Sequence, residues 1–274
     1  MCHWSLWNFD SLITREHSWY TTDCTMIINT VQTDKIIVGS HTIYDVLDTA
    51  LPKIAERSIV VVTSKIVSLC EGRVVKVGDA DKDELIKQEA QLYIPTEMSP
   101  LGVTLTVTQN LLVPSAGIDE SNGNGYYILW PKDPQASAVA IRTHLSKKHK
   151  LTHLGVLITD SRTTPMRWGT SGIALSYSGF AGINDFIGQP DLFGRKMEMT
   201  MVNVADGLAA AAVLAMGETN EQTPLAIITN AEFIHFDKHK PTPKELETWQ
   251  IPMNIDLYGP LLSRGPWQKG GKNK

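Results

Sequence analysis

Residues 58–63, Ser-Ile-Val-Val-Val-Thr, run without a break through β-branched side chains. A run with no polar alternation has no face to offer water, so it forms a buried strand. Residues 154–159, Leu-Gly-Val-Leu-Ile-Thr, give a second such strand, residues 196–204 a third, and Leu225–Ile228 one more short one. Between them the period changes. Tyr44, Leu47, Leu51 and Ile54 fall at helical spacing over 42–56, with Thr42 as a cap and Pro52 as an interruption. Asp133-Pro134 sets a capping carboxylate before proline at the first helical position, and Ala138, Ile141 and Leu145 supply that helix with a core stripe. Its end carries Lys147, Lys148 and Lys150, where the helix dipole favours cations. Residues 205–216 are apolar nearly all round apart from Asp206 and Gly207, which predicts a helix buried on most faces and stopped by Gly217. Over 101–108, Leu101, Val103, Leu105 and Val107 alternate with Gly102, Thr104, Thr106 and Thr108, which predicts a strand burying its aliphatic face. Strands and helices mix without a regular βαβ rhythm. The expected class is mixed α/β (α+β), in two intertwined subdomains.

A chain of 274 residues makes one large domain or two modest ones. Its formal charge of −4 does not favour a nucleic-acid partner. No apolar run approaches the roughly 18 residues of a membrane span. Cys2, Cys24 and Cys70 show no metal spacing and cannot all pair, which points to a reducing, cytoplasmic setting. Residues 1–25, with Trp4, Trp7 and Trp19, have neither periodicity nor a signal-peptide pattern. They read as an extension outside the core, or as an aromatic flap packed on it. Residues 26–250 then form the main domain and 251–274 a tail whose end, Lys269–Lys274, is solvated.

Three aspartates border apolar or glycine-rich runs: Asp119 after Ala116-Gly117-Ile118, Asp160 just past the 154–159 strand, and Asp191 before Leu192-Phe193-Gly194-Arg195. Carboxylates at strand ends suit a hard divalent cation. The Ser161 hydroxyl can share it, and Arg162 and Arg167 can clamp a carboxylate or phosphate. Thr63-Ser64-Lys65 at the end of the first strand offers hydroxyls, N–H groups and an ammonium to phosphate oxygens, although the glycines of a Walker loop are missing. Each feature also has a purely structural reading. These are a surface turn capped by Thr63 or Ser64, an Asx turn at 119–122, a helix cap at Asp160 or Ser161, and a solvated helix-end carboxylate at Glu218. The histidines lack ligand spacing, and no Gly-x-Ser-x-Gly or Cys–His pairing argues for a covalent nucleophile.

Taken in order, six segments resemble the coenzyme F420-0:γ-glutamyl ligase family. They are Val61–Ser68 with Glu71-Gly72-Arg73, Ala116–Asn122, Trp130-Pro131-Lys132-Asp133-Pro134, Thr159-Asp160, Asp191–Arg195, and Ala205-Asp206 through Met216-Gly217-Glu218. The resemblance implies an intertwined α/β homodimer that uses GTP, or ATP, with Mg²⁺ or Mn²⁺ to attach L-glutamate to a carboxylate-bearing cofactor. It implies that Asp119 and Asp160 hold a metal, with Ser161 and Glu218 near a second. Ser64, Lys65, Ser68 and Asn122 would face the phosphates, with Met216 and Gly217 also on the nucleotide side. Lys65, Arg162 and Arg167 would serve the chemistry. One stretch departs from the family pattern: where a Gln-Thr-Asp element is usual, this chain has Thr170-Ser171-Gly172. The change resembles a divergent branch linked to folate γ-glutamylation, so the acceptor is folate or F420-0. The alternative is an inactive protein that keeps the fold; the clustered Asp119, Asp160 and Lys65 argue against it.

Overall fold

The computed structural model describes residues 25–272. The N-terminal extension, with Trp4, Trp7 and Trp19, lies outside the described residues apart from Thr25. The chain opens with β1 (Ile27–Val31), α1 (Ile43–Ala50), β2 (Ser58–Thr63) and α2 (Ser64–Glu71). It then builds β3 (Val74–Lys76), α3 (Lys82–Glu89), β4 (Leu92–Ile94), β5 (Leu105–Thr108), β6 (Leu111–Pro114) and β7 (Tyr126–Ile128). Next come α4 (Pro134–His149), β8 (Leu154–Thr163), β9 (Thr170–Ser178), β10 (Ile183–Asp185), β11 (Met201–Asn203), α5 (Val204–Met216) and β12 (Leu225–Thr229). The last elements are α6 (Pro243–Trp249), α7 (Gly259–Leu262) and β13 (Gln268–Lys269).

The main sheet has the order β1-β12-β2-β8-β9. Strands β2 and β8 are parallel, with Thr63 opposite Thr159; the other pairings are antiparallel. The unbroken β-branched runs occupy its centre and are covered on both sides. On one face Val46, Leu47, Val67, Ile141 and Leu145 of α1, α2 and α4 pack on Val60, Val62, Val156 and Ile158. On the other, Leu208, Ala209 and Ala212 of α5 pack on Ile59, Val61 and Leu157. The chain leaves this sheet after α2 and returns at α4. In between it builds a second sheet, β13-β4-β5-β6, and the β3-β7 ladder. A smaller core of Leu85, Ile86, Ala90, Ala116, Ile118 and Leu129 lies under them. The mixed α/β class and the interleaving of two units follow directly.

The capping signals are realised. Thr42 and Asp45 form a reciprocal capping box on α1, and the Asp133 side chain accepts the Ala136 N–H with Pro134 in the first turn of α4. Helix α1 stops at Ala50, ahead of Pro52, rather than running on to 56.

Four expectations are corrected. First, strand 101–108 shrinks to β5, and its threonines are buried while Leu101 and Val103 are exposed. The threonines can be buried because their hydroxyls are bonded: Thr106 Oγ1 donates to the Val113 carbonyl (2.7 Å) and accepts the Ala116 N–H (3.0 Å). Second, the 196–204 strand is only β11, exposed throughout and paired with β10 alone; Asn203 already caps α5. Third, β8 continues through Asp160 and Ser161 to Thr163, because a bulge in β9 at Leu175, opposite Ile158 and Thr159, lets their pairing resume. Fourth, the chain end is not a free tail. Strand β13 pairs with β4, and Gly270, Gly271 and Lys272 donate N–H groups to the carbonyls of Gln91, Lys87 and Ala90. No helix among the described residues is long and apolar enough to cross a membrane.

Thr106 is fully buried and its hydroxyl joins β6 to the backbone leading to Asp119. Thr106→Val keeps the shape but strands a buried carbonyl and a buried N–H. The expected loss is about 1–3 kcal/mol in urea unfolding, with an unchanged denaturant slope.

Candidate active site

The site begins where β2 ends. Thr63 makes no side-chain capping bond, so the first-turn N–H groups of α2 are left to other partners at the sheet edge. A helix start of this kind, directly after a parallel strand, favours anions. The capped surface turn is therefore not what forms. Ser64 and Lys65 stand on this first turn. Ser68, one turn later, is fully buried with no partner for its hydroxyl, so it is enclosed rather than presented on an open face.

Lys65 reaches across to a second segment. Its Nζ lies 2.6 Å from Asp119 Oδ2 and donates to the Ser121 carbonyl at 3.0 Å. Ser115, Ala116 and Gly117 all carry positive φ, at 52°, 52° and 71°, and bend the chain towards Lys65. Asp119 is then fixed by exchanging backbone hydrogen bonds with Ile128 at 3.0 and 2.7 Å. Its carboxylate also accepts the Ser121 N–H and Oγ–H, both at 2.8 Å. Burial pushes the Asp119 carboxyl up, but Lys65 and then Ser121 outweigh it and hold it below the ordinary carboxylate range. Asn122, at φ 55°, donates to the Thr219 carbonyl at 2.8 Å and so ties this loop to the segment after α5.

Asp160 and Ser161 come from β8 beyond the bulge. Asp160 pairs with Ile173 and Ser161 with Gly172. Ile173 belongs to the core on the α4 side. Gly172 faces α5, where a Cβ would collide with the Ala209 carbonyl. Strand alternation therefore sends the Asp160 side chain towards the α4 side and that of Ser161 towards α5. Asp160 Oδ2 accepts the Trp130 Nε1–H, and Oδ1 accepts the Ser161 N–H at 2.8 Å. Burial still pushes its carboxyl up to about 6, with the Asp119 charge acting in the same direction. Glu218, just past α5, is also raised by burial, while the Ser161 and Thr170 hydroxyls and Lys65 pull it back. Five segments thus bring three carboxylates, two hydroxyls and one ammonium into mutual electrostatic reach.

Other expected residues stand elsewhere. Arg162 lies two residues beyond Asp160 on the same face of β8. Arg167 is on the exposed 164–169 turn, where it donates to the Met166 carbonyl. Asp191 closes its own turn by accepting the N–H groups of Phe193 and Arg195, both at 2.9 Å. Met216 is buried in the core under α5, and Gly217 ends that helix at φ 83°. Sequence reasoning missed Ser121, Thr170 and the role of Trp130. It also missed Asp237, His239 and Glu245, whose ligand atoms all lie within 4.8 Å of one another in a potential metal-holding triad. An Asp-x-His step ahead of a capping-box glutamate was its only trace in the sequence.

Comparison with known proteins gives a consistent answer. The family model described as F420-0:Gamma-glutamyl ligase matches residues 30–230. A Methanococcus maripaludis (strain S2) protein named coenzyme F420:L-glutamate ligase is 41% identical over 140 residues, 49% of this chain and 55% of that protein. Proteins of the same name from Methanocaldococcus jannaschii and Methanothermobacter thermautotrophicus are each 33% identical. The first match covers 65% of this chain and 77% of that protein, the second 70% and 84%. The chain thus spans about half the length of the Methanococcus relative and more of the other two.

The Asp160 carboxyl, at about 6, stands above the usual 3.8. The fold therefore favours its uncharged form, and stability falls as pH rises from about 4 through 6. Asp160→Asn removes the titrating group and still accepts the Trp130 N–H, although its NH2 then faces the Ser161 N–H. In chelator-treated protein the variant is expected to lack the fall in stability that the parent shows as pH rises from about 4 through 6. Thermal unfolding across that range checks it.

Proposed function

Because the chain belongs to the F420-0:γ-glutamyl ligase family, we propose that it joins L-glutamate through its amine to a cofactor carboxylate, consuming GTP or ATP. The observation that carries this reading is the convergence of Lys65, Asp119, Asp160, Ser161, Thr170 and Glu218 on the uncapped start of α2. The donor set is all hard oxygen, and two of the carboxyls are held above their ordinary range by burial. Such a set fits Mg²⁺ or Mn²⁺. Asp119 and Asp160 would hold one ion, with Ser161 and Glu218 beside a second, on the two faces between which β8 alternates. A bound ion supplies charge neutralisation to phosphoryl oxygens.

The chain's own residues account for the rest. The N–H groups at the start of α2, with Ser64, cradle phosphate oxygens, and Asn122, Met216 and Gly217 shape the nucleotide side. Ser68 serves from beneath the helix rather than by direct contact. An acceptor carboxylate oxygen attacks the terminal phosphorus, the nucleoside diphosphate leaves, and an acyl phosphate results. The Lys65 ammonium, with Asp119 as its standing partner, shifts to the charge that develops on the phosphoryl group. The neutral glutamate amine then attacks the acyl carbon and phosphate departs with its oxygen. Arg162 offers its guanidinium to the oxyanion of that step, and Arg167, on the exposed 164–169 turn, is the second guanidinium on this hairpin. No covalent enzyme nucleophile is needed.

The relatives' names favour F420-0 as the acceptor. Folate is the second reading, because Thr170-Ser171-Gly172 in place of the usual Gln-Thr-Asp resembles the folate-linked branch; Gly172 is pressed against α5, so no larger residue fits there. We place the catalytic portion at residues 26–250 and the protein in the cytoplasm, since three cysteines cannot all pair with one another. The functional unit is a homodimer. Ile187, Leu192, Phe193, Met199 and Val202 all expose apolar surface on one arm, and a second copy would cover it.

Three measurements test the reading. Purified protein with Mg²⁺, labelled glutamate, each nucleotide and either F420-0 or tetrahydrofolate is expected to yield a γ-glutamyl product by mass spectrometry; no product with either acceptor, and no glutamate-dependent hydrolysis, refutes it. Lys65→Ala is expected to weaken nucleotide binding by about 1–3 kcal/mol in calorimetry. Phe193→Asp is expected to convert a dimer to a monomer in analytical ultracentrifugation without unfolding it.

A further inference from the structure

Trp130 has no assigned part in this chemistry, yet it touches both candidate metal-holding segments. It is 4% exposed and belongs to the core beneath α4. Its Nε1–H is donated to Asp160 Oδ2. The same edge of the indole lies against Gly117, two residues before Asp119: a Cβ on Gly117 would run into Nε1, Cε2 and Cζ2. The backbone around it is clamped by one residue. Arg73 Nε donates to the Trp130 carbonyl at 3.1 Å, and the Arg73 carbonyl accepts the Leu129 N–H at 3.0 Å. Arg73 is in turn held by Glu89 at 2.8 Å. The ring therefore has a fixed seat, and its N–H has a fixed aim. A residue needed only to fill the core would require the ring and not the donor.

We propose that Trp130 is the positioning residue of the site: its N–H sets the plane of the Asp160 carboxylate, and its ring edge sets the backbone path that delivers Asp119. With Trp130 on one oxygen and the Ser161 N–H on the other, the Asp160 carboxylate cannot rotate, and one lone pair on each oxygen remains for a cation. The inference rests on the ligase reading, in which the two aspartates share a divalent ion.

The test is Trp130→Phe in the full chain, which removes the donor together with the indole edge that lies against Gly117, run beside the benzothienylalanine analogue, which keeps that edge and removes the donor alone. Mn²⁺ affinity is measured by electron paramagnetic resonance without nucleotide, alongside the melting temperature and the Mn²⁺ dependence of turnover. The expected result is an affinity lowered about tenfold or more, a melting temperature within a few degrees of the parent, and recovery of turnover at saturating Mn²⁺. Affinity within twofold of the parent overturns the proposal, as does a lowered turnover that saturating Mn²⁺ does not restore. If Trp130→Phe fails to fold, the benzothienylalanine analogue, with sulfur in place of the N–H, decides by the same readouts. Mn²⁺ binding that Asp160→Asn abolishes and Trp130→Phe preserves sinks this inference alone. A parent protein that binds no Mn²⁺ sinks the metal reading and this inference together.

Discussion

The parallel pairing of β2 with β8 is the constraint on which the site depends. With Thr63 opposite Thr159, the next residues of the two strands, Ser64 and Asp160, emerge at the same edge of the sheet. One strand turns at once into α2 and presents uncapped N–H groups. The other runs on and presents a carboxylate and a hydroxyl. An antiparallel pair would have sent these groups to opposite ends of the sheet. The β-branched runs do more than fill the core, because burial on both faces is what a strand pair in this position demands.

The second governing feature is a charge imbalance. Asp119, Asp160 and Glu218 lie in reach of one ammonium, and Lys65 is committed to the first of them. Asp119 keeps its charge cheaply, while the other two are driven towards their protonated forms by lost hydration. Removing one partner of a buried charge set is costly, whereas adding a counter-charge relieves it. The protein thus holds an arrangement that is worse for folding than an apolar one would be, which is the usual mark of a site shaped for a ligand. The Asp237, His239 and Glu245 triad differs in kind. Its side chains are about as exposed as those of the site, but Arg142 donates to the main-chain carbonyls of Asp237 and His239, adding positive charge beside it.

Much of the fold was legible in the chain because the relevant signals are local. Thr42 and Asp133 announced their helices, and the β-branched runs announced the central strands. The failures arose where local pattern and tertiary bonding disagree. At 101–108 the alternation was real, but the threonines are buried along with Val107, since hydroxyls paired to Val113 and Ala116 can be enclosed, while the aliphatic positions at 101 and 103 had no cover. At 196–204 the apolar residues lack any sheet to join beyond β10. For the site, Lys65, Asp119 and Asp160 were identifiable one at a time, but their convergence depends on a register. Ser121, Thr170 and the role of Trp130 were invisible because each acts through a partner that lies far away in sequence or across a hairpin.

The unbroken alternation of β8 has a consequence for how this hairpin can change over evolutionary time. The extra residue of the bulge, Leu175, lies on β9, so β8 alternates evenly from Val156 to Ser161, and that alternation fixes which of Asp160 and Ser161 looks towards Trp130 and which towards α5. Losing or gaining a single residue between Ile158 and Asp160 would exchange the two, burying a hydroxyl under the indole and turning the carboxylate onto the close-packed Ala209 backbone. A change of two residues there would restore the facing while moving both groups along the sheet by one pleat. Length variation on the near side of Asp160 is therefore governed by parity. Beyond Thr163, in the exposed turn that carries Met166 and Trp168, no such rule applies, and insertions of any length leave both groups where they are.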